Sequence, residues 1–195
     1  LDDAEAAITA LHGRGATARS IVTSTTRLQQ PGVAVLAPQA ANNTWYPQSF
    51  LAPVEQNEPG RSSGLQAIDD AIETVMAADI PRERILLLGF SQGACLASEY
   101  VARNPRRYGG LVAFSGGLIG EEIDPDDYAG DLEEMPYFVG CSDVDPHIPA
   151  ERVHVSATVF ERLNADVEKR LYEGMGHLVN EDEMAYAEGM VDDLL

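Results

Sequence analysis

The stretch Ile85 to Val101, ILLLGFSQGACLASEYV, limits what this chain can become more than any other. Ile85-Leu86-Leu87-Leu88 is a short apolar run without polar alternation, bounded by turn residues, and predicts a strand buried on both faces. Gly89-Phe90-Ser91-Gln92-Gly93 follows it, and Ala94, Leu96, Ala97 and Val101 then continue with helical character up to Asn104-Pro105. Strand, sharp turn and helix is the setting in which a G-x-S-x-G pentapeptide carries a mechanism. The turn holds its apex residue in a strained conformation, and the glycines on either side leave room because they lack a Cβ. The hydroxyl of Ser91 is then presented at the strand's C-terminal end, and the helix N-terminus aims backbone N–H groups at whatever binds there. Outside such a frame the serine would be incidental; inside it, Ser91 is expected to be a nucleophile.

The 195 residues and 45% hydrophobic content fit a single domain over residues 1–195 with a sizeable core. No segment approaches the roughly 18 unbroken apolar residues that span a bilayer. The start, Leu1-Asp2-Asp3-Ala4-Glu5, is acidic, the opposite of a signal peptide's basic opening, so a cytoplasmic location is expected. Two cysteines, Cys95 and Cys141, read as small buried thiols rather than a disulfide framework or a zinc site. The net charge of -19 argues against nucleic acid and against anionic membrane surfaces as partners. Lys169 is the one lysine among 13 basic residues. An acidic surface almost without lysine is expected of a protein adapted to high salt, where counter-ions screen the self-repulsion.

Along the chain, strands and helices alternate. Ala6–Leu11 reads as a strand running into the glycine-rich turn His12-Gly13-Arg14-Gly15-Ala16, followed by a helix of about a dozen residues ending near Gln30-Pro31-Gly32. Val33–Ala37 is a second strand, and a long connection from Gln39 to Ser63 carries Trp45-Tyr46-Pro47 and Asn57-Glu58-Pro59. Such lengths are usually functional, and the aromatics argue against disorder. Leu65, Ile68, Ile72, Val75 and Met76 recur at helical spacing. Further strands are expected at 110–116, 136–141 and 167–172, the last with enough alternation for a sheet edge. Residues 117–134 hold eight acidic side chains and read as a solvated loop. Helices are expected over about 150–164 and after Asn180, where Glu183 has capping-box spacing. The class is therefore α/β, a mostly parallel sheet of about six to seven strands with helices on both faces. In such sheets ligands bind beyond the carboxyl ends of the strands. His12–Ala16, Trp45–Gly60, Ser91, Ser142–Pro149 and Gly174–His177 all follow strands and should gather at one edge.

A serine hydroxyl needs a base within hydrogen-bond reach and an acid to orient that base. Of the four histidines, His12 is placed to brace its loop, and His154 reads as a half-buried helical residue. His147 follows Asp145-Pro146 in a loop. His177, in the glycine-spaced turn Gly174-Met175-Gly176-His177, is the best-placed base. Asp143 and Asp145 are both suitable as the acid, one of them being left to cap the loop. The backbone N–H groups of Gln92 and Arg14 are the natural pair of oxyanion donors, with the Arg14 side chain a solvated charge. Trp45, Tyr46 and Phe50 either line a substrate pocket or pack the long loop down.

His12-Gly13-Arg14-Gly15, Gly89-Phe90-Ser91-Gln92-Gly93-Ala94, Asp145-Pro146-His147-Ile148-Pro149 and Gly174–His177 together resemble the phospholipase/carboxylesterase family of α/β-hydrolases, which includes the acyl-protein thioesterases. The similarity runs over nearly the whole chain, and the order Ser…Asp…His is that of α/β-hydrolases. The resemblance implies Ser91 as nucleophile, His177 as base, Asp145 rather than Asp143 as acid, and Arg14 and Gln92 as oxyanion donors. It implies no metal and no cofactor. Two departures stand out. The first strand here already carries the oxyanion turn, where relatives usually have further strands before it. Gly140-Cys141-Ser142-Asp143-Val144-Asp145 also differs from the H-G-D-x-D of the thioesterases. The expected activity is hydrolysis of small carboxylic esters, with neutral or cationic substrates favoured by the acidic surface. A thioesterase or lysophospholipase on the same site, a catalytically silent binding protein, and a cysteine hydrolase of dienelactone type are the alternatives. The last is disfavoured because a serine holds the apex. The oligomeric state is left open between a monomer and a homodimer.

Overall fold

The computed structural model describes residues 3–195, so Leu1 and Asp2 of the acidic start lie outside the described residues. Six strands form one sheet: β1 (Ala6–Leu11), β2 (Val33–Leu36), β3 (Ile85–Phe90), β4 (Gly110–Phe114), β5 (Pro136–Ser142) and β6 (Asp166–Tyr172). Their order is β2-β1-β3-β4-β5-β6 and every pairing is parallel. Four helices lie between strands, α1 (Ala18–Ser24), α2 (Gly60–Met76), α3 (Gln92–Arg103) and α4 (Ala150–Arg162), and α5 (Glu181–Asp192) follows β6. No helix among the described residues is long and apolar enough to cross a membrane.

The apolar run of β3 is unbroken because both of its faces are covered. Ile85 and Leu87 pack into a cluster with Ile68 of α2, Leu96 of α3 and Val153 of α4. Leu86 and Leu88 point the other way, into a cluster with Ile21 of α1 and Met190 and Val191 of α5. The period of two along a strand thus divides one sequence run between two cores. β6 lies at the edge of the sheet, as its alternation predicted. Strand order reverses between β1 and β3, and the carboxyl ends of these two strands flank the crevice where α/β sheets bind ligands.

Several local expectations are corrected. The first helix has seven residues, not a dozen, and is followed by a separate 3-10 turn at Thr26–Leu28. The run Thr23-Ser24-Thr25-Thr26 donates its hydroxyls back to the carbonyls of Arg19, Ile21 and Thr23, and such bonds compete with helix propagation. α2 begins at Gly60, earlier than its apolar periodicity showed, and the Glu58 carboxylate accepts the N–H of Ser62 in its first turn. The acidic connection 117–134 is solvated only in its later part. Gly117–Gly120 are buried, with Leu118 N–H on Ser156 Oγ, Ile119 N–H on Glu99 Oε2 and Gly120 N–H on the Phe50 carbonyl. His154 is exposed rather than half-buried, and lies 2.9 Å from Lys169 Nζ.

Candidate active site

Ser91 sits between β3 and α3 with φ 54° and ψ -117°. A non-glycine residue in this region is strained by about 1–3 kcal/mol, and its surroundings must hold it there. They do: Ser91 N–H donates to the Phe114 carbonyl of β4, and its own carbonyl accepts from Cys95 in the first turn of α3. A Cβ on Gly93 would collide with the Leu11 carbonyl of β1, and one on Gly89 would collide with the Gly93 backbone. Both glycines of the pentapeptide are therefore required by close approach of backbone to backbone.

His177 reaches Ser91 from the turn after β6. Gly174 and Gly176 there have φ of 61° and 78°. The turn hangs on the end of β5 and the residue after it, because Gly174 N–H donates to Asp143 Oδ1 (2.9 Å) and Gly176 N–H to Ser142 Oγ (3.0 Å). His177 Nε2 is 2.9 Å from Ser91 Oγ, and Nδ1 is 2.7 Å from Asp145 Oδ2. The ring packs between Phe90 and His147, at centroid distances of 5.0 and 4.8 Å. Asp145 and Asp143 thus divide the work: the first meets the imidazole ring, the second carries the turn that bears it.

The Asp145 side chain is fully shielded from solvent. Burial alone would push its pKa up. His177 and the N–H groups of His147 and Ile148 on its oxygens outweigh burial and hold the carboxyl below the usual carboxylate range. Cys141 Sγ lies 3.8 Å from Asp145 Oδ2, and burial together with that carboxylate pushes the thiol up to about 12. Cys95 is likewise pushed up to about 12 by burial. Both stay protonated at neutral pH and are poor nucleophiles.

The backbone N–H groups of Arg14 and Gln92 donate to no acceptor among the described residues. Gln92 is the first residue of α3, where an N–H has no intrahelical acceptor. Both residues line the cavity that contains Ser91. The Arg14 side chain is exposed, as expected from sequence, but it also makes specific contacts. It donates to Thr44 Oγ1 and to the carbonyls of Pro47 and Gln48, and so braces the long loop. The Gln92 side chain was not singled out in sequence. Its Oε1 accepts the Trp45 N–H and its Nε2 donates to the Tyr46 carbonyl, both at 2.9 Å, clamping the same loop. A long polar side chain beside the nucleophile was the only signal for it.

The cavity over Ser91 has a volume of about 620 Å³, and Tyr46, Phe50 and Ile148 contribute to its wall. Trp45 does not line it. Its indole Nε1 donates to the His12 carbonyl and its ring lies 5.0 Å from the imidazole, so this aromatic packs the loop down. His12 itself accepts the Ala40 N–H on Nε2 and so braces its loop. A second cavity of about 520 Å³ lies between α1 and the start of α5 and meets the first at Gly13, Ala16, Phe90 and His177. No group of three or more His, Cys, Asp or Glu side chains among the described residues is arranged to hold a metal ion.

A hydroxyl hydrogen-bonded to an imidazole, with a buried carboxylate behind it and two free N–H groups in front, can carry out acyl transfer. The similarities of the chain agree with this chemistry. Residues 2–194 match the family Phospholipase/Carboxylesterase. A crystal structure of a phospholipase/carboxylesterase from Dyadobacter fermentans superposes with a TM-score of 0.93 at 43% identity, covering 97% of this chain and 91% of that one. Acyl-protein thioesterase 1 of Debaryomyces hansenii is 28% identical over 83% of this chain and 74% of its own length. The thioesterase of the same name from Kluyveromyces lactis is 33% identical over 64% of this chain, a match that spans only 56% of that protein. The crystal structure of esterase PE8, 22% identical with a TM-score of 0.82, shares the fold. The chain belongs to the phospholipase/carboxylesterase family.

Proposed function

We propose that this protein is a serine carboxylesterase that hydrolyses small carboxylic esters through a covalent acyl-enzyme. The observation that carries the reading is the unbroken relay from Ser91 Oγ through His177 to Asp145, with hydrogen bonds of 2.9 and 2.7 Å. In the first half-reaction Ser91 Oγ bonds to the ester carbonyl carbon as His177 Nε2 takes its proton. The oxyanion lies against the N–H groups of Arg14 and Gln92. Asp145 keeps Nδ1–H in place and stabilises the imidazolium. The C–O bond then breaks, and the departing alcohol leaves with the proton from Nε2. Water, deprotonated by the same imidazole, attacks the acyl-enzyme and frees the acid. Each oxyanion donor is worth about 3–4 kcal/mol of barrier. Tyr46 and Phe50, in the wall of the cavity over Ser91, contact the substrate.

A second reading, thioester hydrolysis on the same groups, is favoured by the two relatives named as thioesterases. Comparing acyl-CoA, lysolipid and short-ester rates separates the two. Ser91→Ala should abolish turnover of short p-nitrophenyl esters and labelling by a fluorophosphonate. Turnover at the unchanged rate would refute the assignment.

A further inference from the structure

We propose that the cavity between α1 and the start of α5 is the leaving-group subsite, and that it takes a neutral, apolar alcohol. This rests on the hydrolase reading above. Position is the first argument. The cavity over Ser91 contains Ser91, Gln92 and Arg14, the attacking oxygen and both oxyanion donors. The smaller cavity contains none of these; it shares the His177 ring with the first and continues along Leu178, Val179 and Asn180. When the Oγ–C bond has formed and the C–O bond breaks, the proton on His177 Nε2 goes to the departing oxygen. The alcohol therefore lies on the imidazole's side of the reacting carbon, where this second cavity opens.

The chemistry of the walls gives the class. Ile21, Phe90, Phe114, Val179 and Met184 are apolar. The hydroxyls of Ser20 and Ser24 already donate to the carbonyls of Thr17 and Ile21. Arg27 is the one basic residue in the lining besides the histidines, and it is held by both carboxylate oxygens of Glu188 and by Glu181. One guanidinium against two carboxylates leaves this corner of the lining net negative. No free cation waits for a phosphate, and the net charge of -19 opposes one. Leu178, next to His177, leaves a large apolar side chain 49% exposed at the cavity. About 520 Å³ is within the range that holds a small organic group. A glycerophosphate or coenzyme A leaving group does not fit this lining; an alkyl or aryl alcohol does.

The test uses esters of one acid with unactivated primary alcohols of graded length, ethyl to hexyl, whose leaving-group pKa values hardly differ. We expect kcat/KM to rise by up to about fourfold per buried methylene until the cavity is full, and a glycerophosphocholine ester to be no better than the ethyl ester. Ser24→Phe and Met184→Trp, which fill the cavity from opposite walls, should flatten the alcohol series while keeping the ranking of acyl lengths. Deacylation, measured after the alcohol has gone, should have one rate constant for all alcohols. Alcohol length without effect on kcat/KM would overturn the proposal. So would a preferred glycerophosphocholine ester, or variants that flatten the acyl series instead. A protein that hydrolyses none of these esters and leaves Ser91 unlabelled by a fluorophosphonate refutes the hydrolase reading itself, and the subsite with it.

Discussion

Glu183 offers a quantitative test of the packing behind the site. It is fully buried in the first turn of α5, against Gly140 of β5. Oε2 accepts the Asn180 N–H at 2.8 Å, while Oε1 has no partner. Burial pushes its pKa from 4.5 up to about 7, against the pull of the Asn180 N–H, and neighbouring Asp182 adds to the rise. Cys141 of β5 and Tyr172 of β6 also feel its charge. The unfolded chain releases this proton first, so between about pH 4.5 and 7 the native state holds more protons. Stability therefore falls as pH rises through that window and is flat above it. At about 1.4 kcal/mol per unit, the loss is about 3 kcal/mol. Glu183→Gln keeps an oxygen for Asn180 and remains a competent capping-box residue, but never charges. Denaturant melts should show the variant more stable by about 3 kcal/mol near pH 8.5 and by less than about 1 kcal/mol near pH 5, read from midpoints at constant m. Asp145, whose pKa is lowered, contributes with opposite sign and only below the ordinary carboxylate range, and does so in both proteins. Parallel pH curves, or a variant less stable at high pH, would refute the reasoning.

Three further outcomes follow from the site. Asp145→Asn should lower kcat for a short ester by about 10⁴, because the amide holds the wrong imidazole tautomer; steady-state rates check this, and a loss under tenfold contradicts it. It should also remove stability that the wild type has above the carboxylate range and loses as pH falls through the lowered Asp145 pKa, visible in acid melts. Gly93→Ala, whose Cβ meets the Leu11 carbonyl, should destabilise by about 3 kcal/mol or more and abolish fluorophosphonate labelling, seen by thermal melts and mass spectrometry. Gln92→Ala keeps its backbone N–H but leaves the Trp45 N–H unpaired and the Tyr46 carbonyl with the Thr44 hydroxyl alone, at a cost of about 2 kcal/mol, with faster proteolytic cutting of residues 44–50.

The sheet was legible because each strand announces itself: the unbroken Ile85–Leu88 run and the weaker alternation of β6 differ as a central and an edge strand must. The turns were legible where glycine is obligatory, as around Ser91 and before His177. What escaped were matters of tertiary partnership. Residue type and loop position leave Asp143 and Asp145 equal, and the choice of Asp145 comes from the family resemblance; the fold shows that Asp145 meets an imidazole and Asp143 a backbone N–H. The burial of Gly117–Gly120 was hidden by the acidic residues that follow, since it depends on Glu99, Ser156 and the Arg152 guanidinium, which donates to the carbonyls of Leu118, Gly120 and Glu121. Trp45 and Phe50 look alike in sequence, yet one packs on His12 and the other faces the cavity.

The double engagement of Gln92 couples two properties that a designer would prefer to adjust separately. Its main chain lies at the cavity over Ser91 while its amide grips residues 45 and 46, so a remodelled loop tugs on a peptide next to the proposed nucleophile. The leaving-group subsite proposed on the α1 side lacks Gln92 in its lining, so recutting its walls leaves that tether untouched.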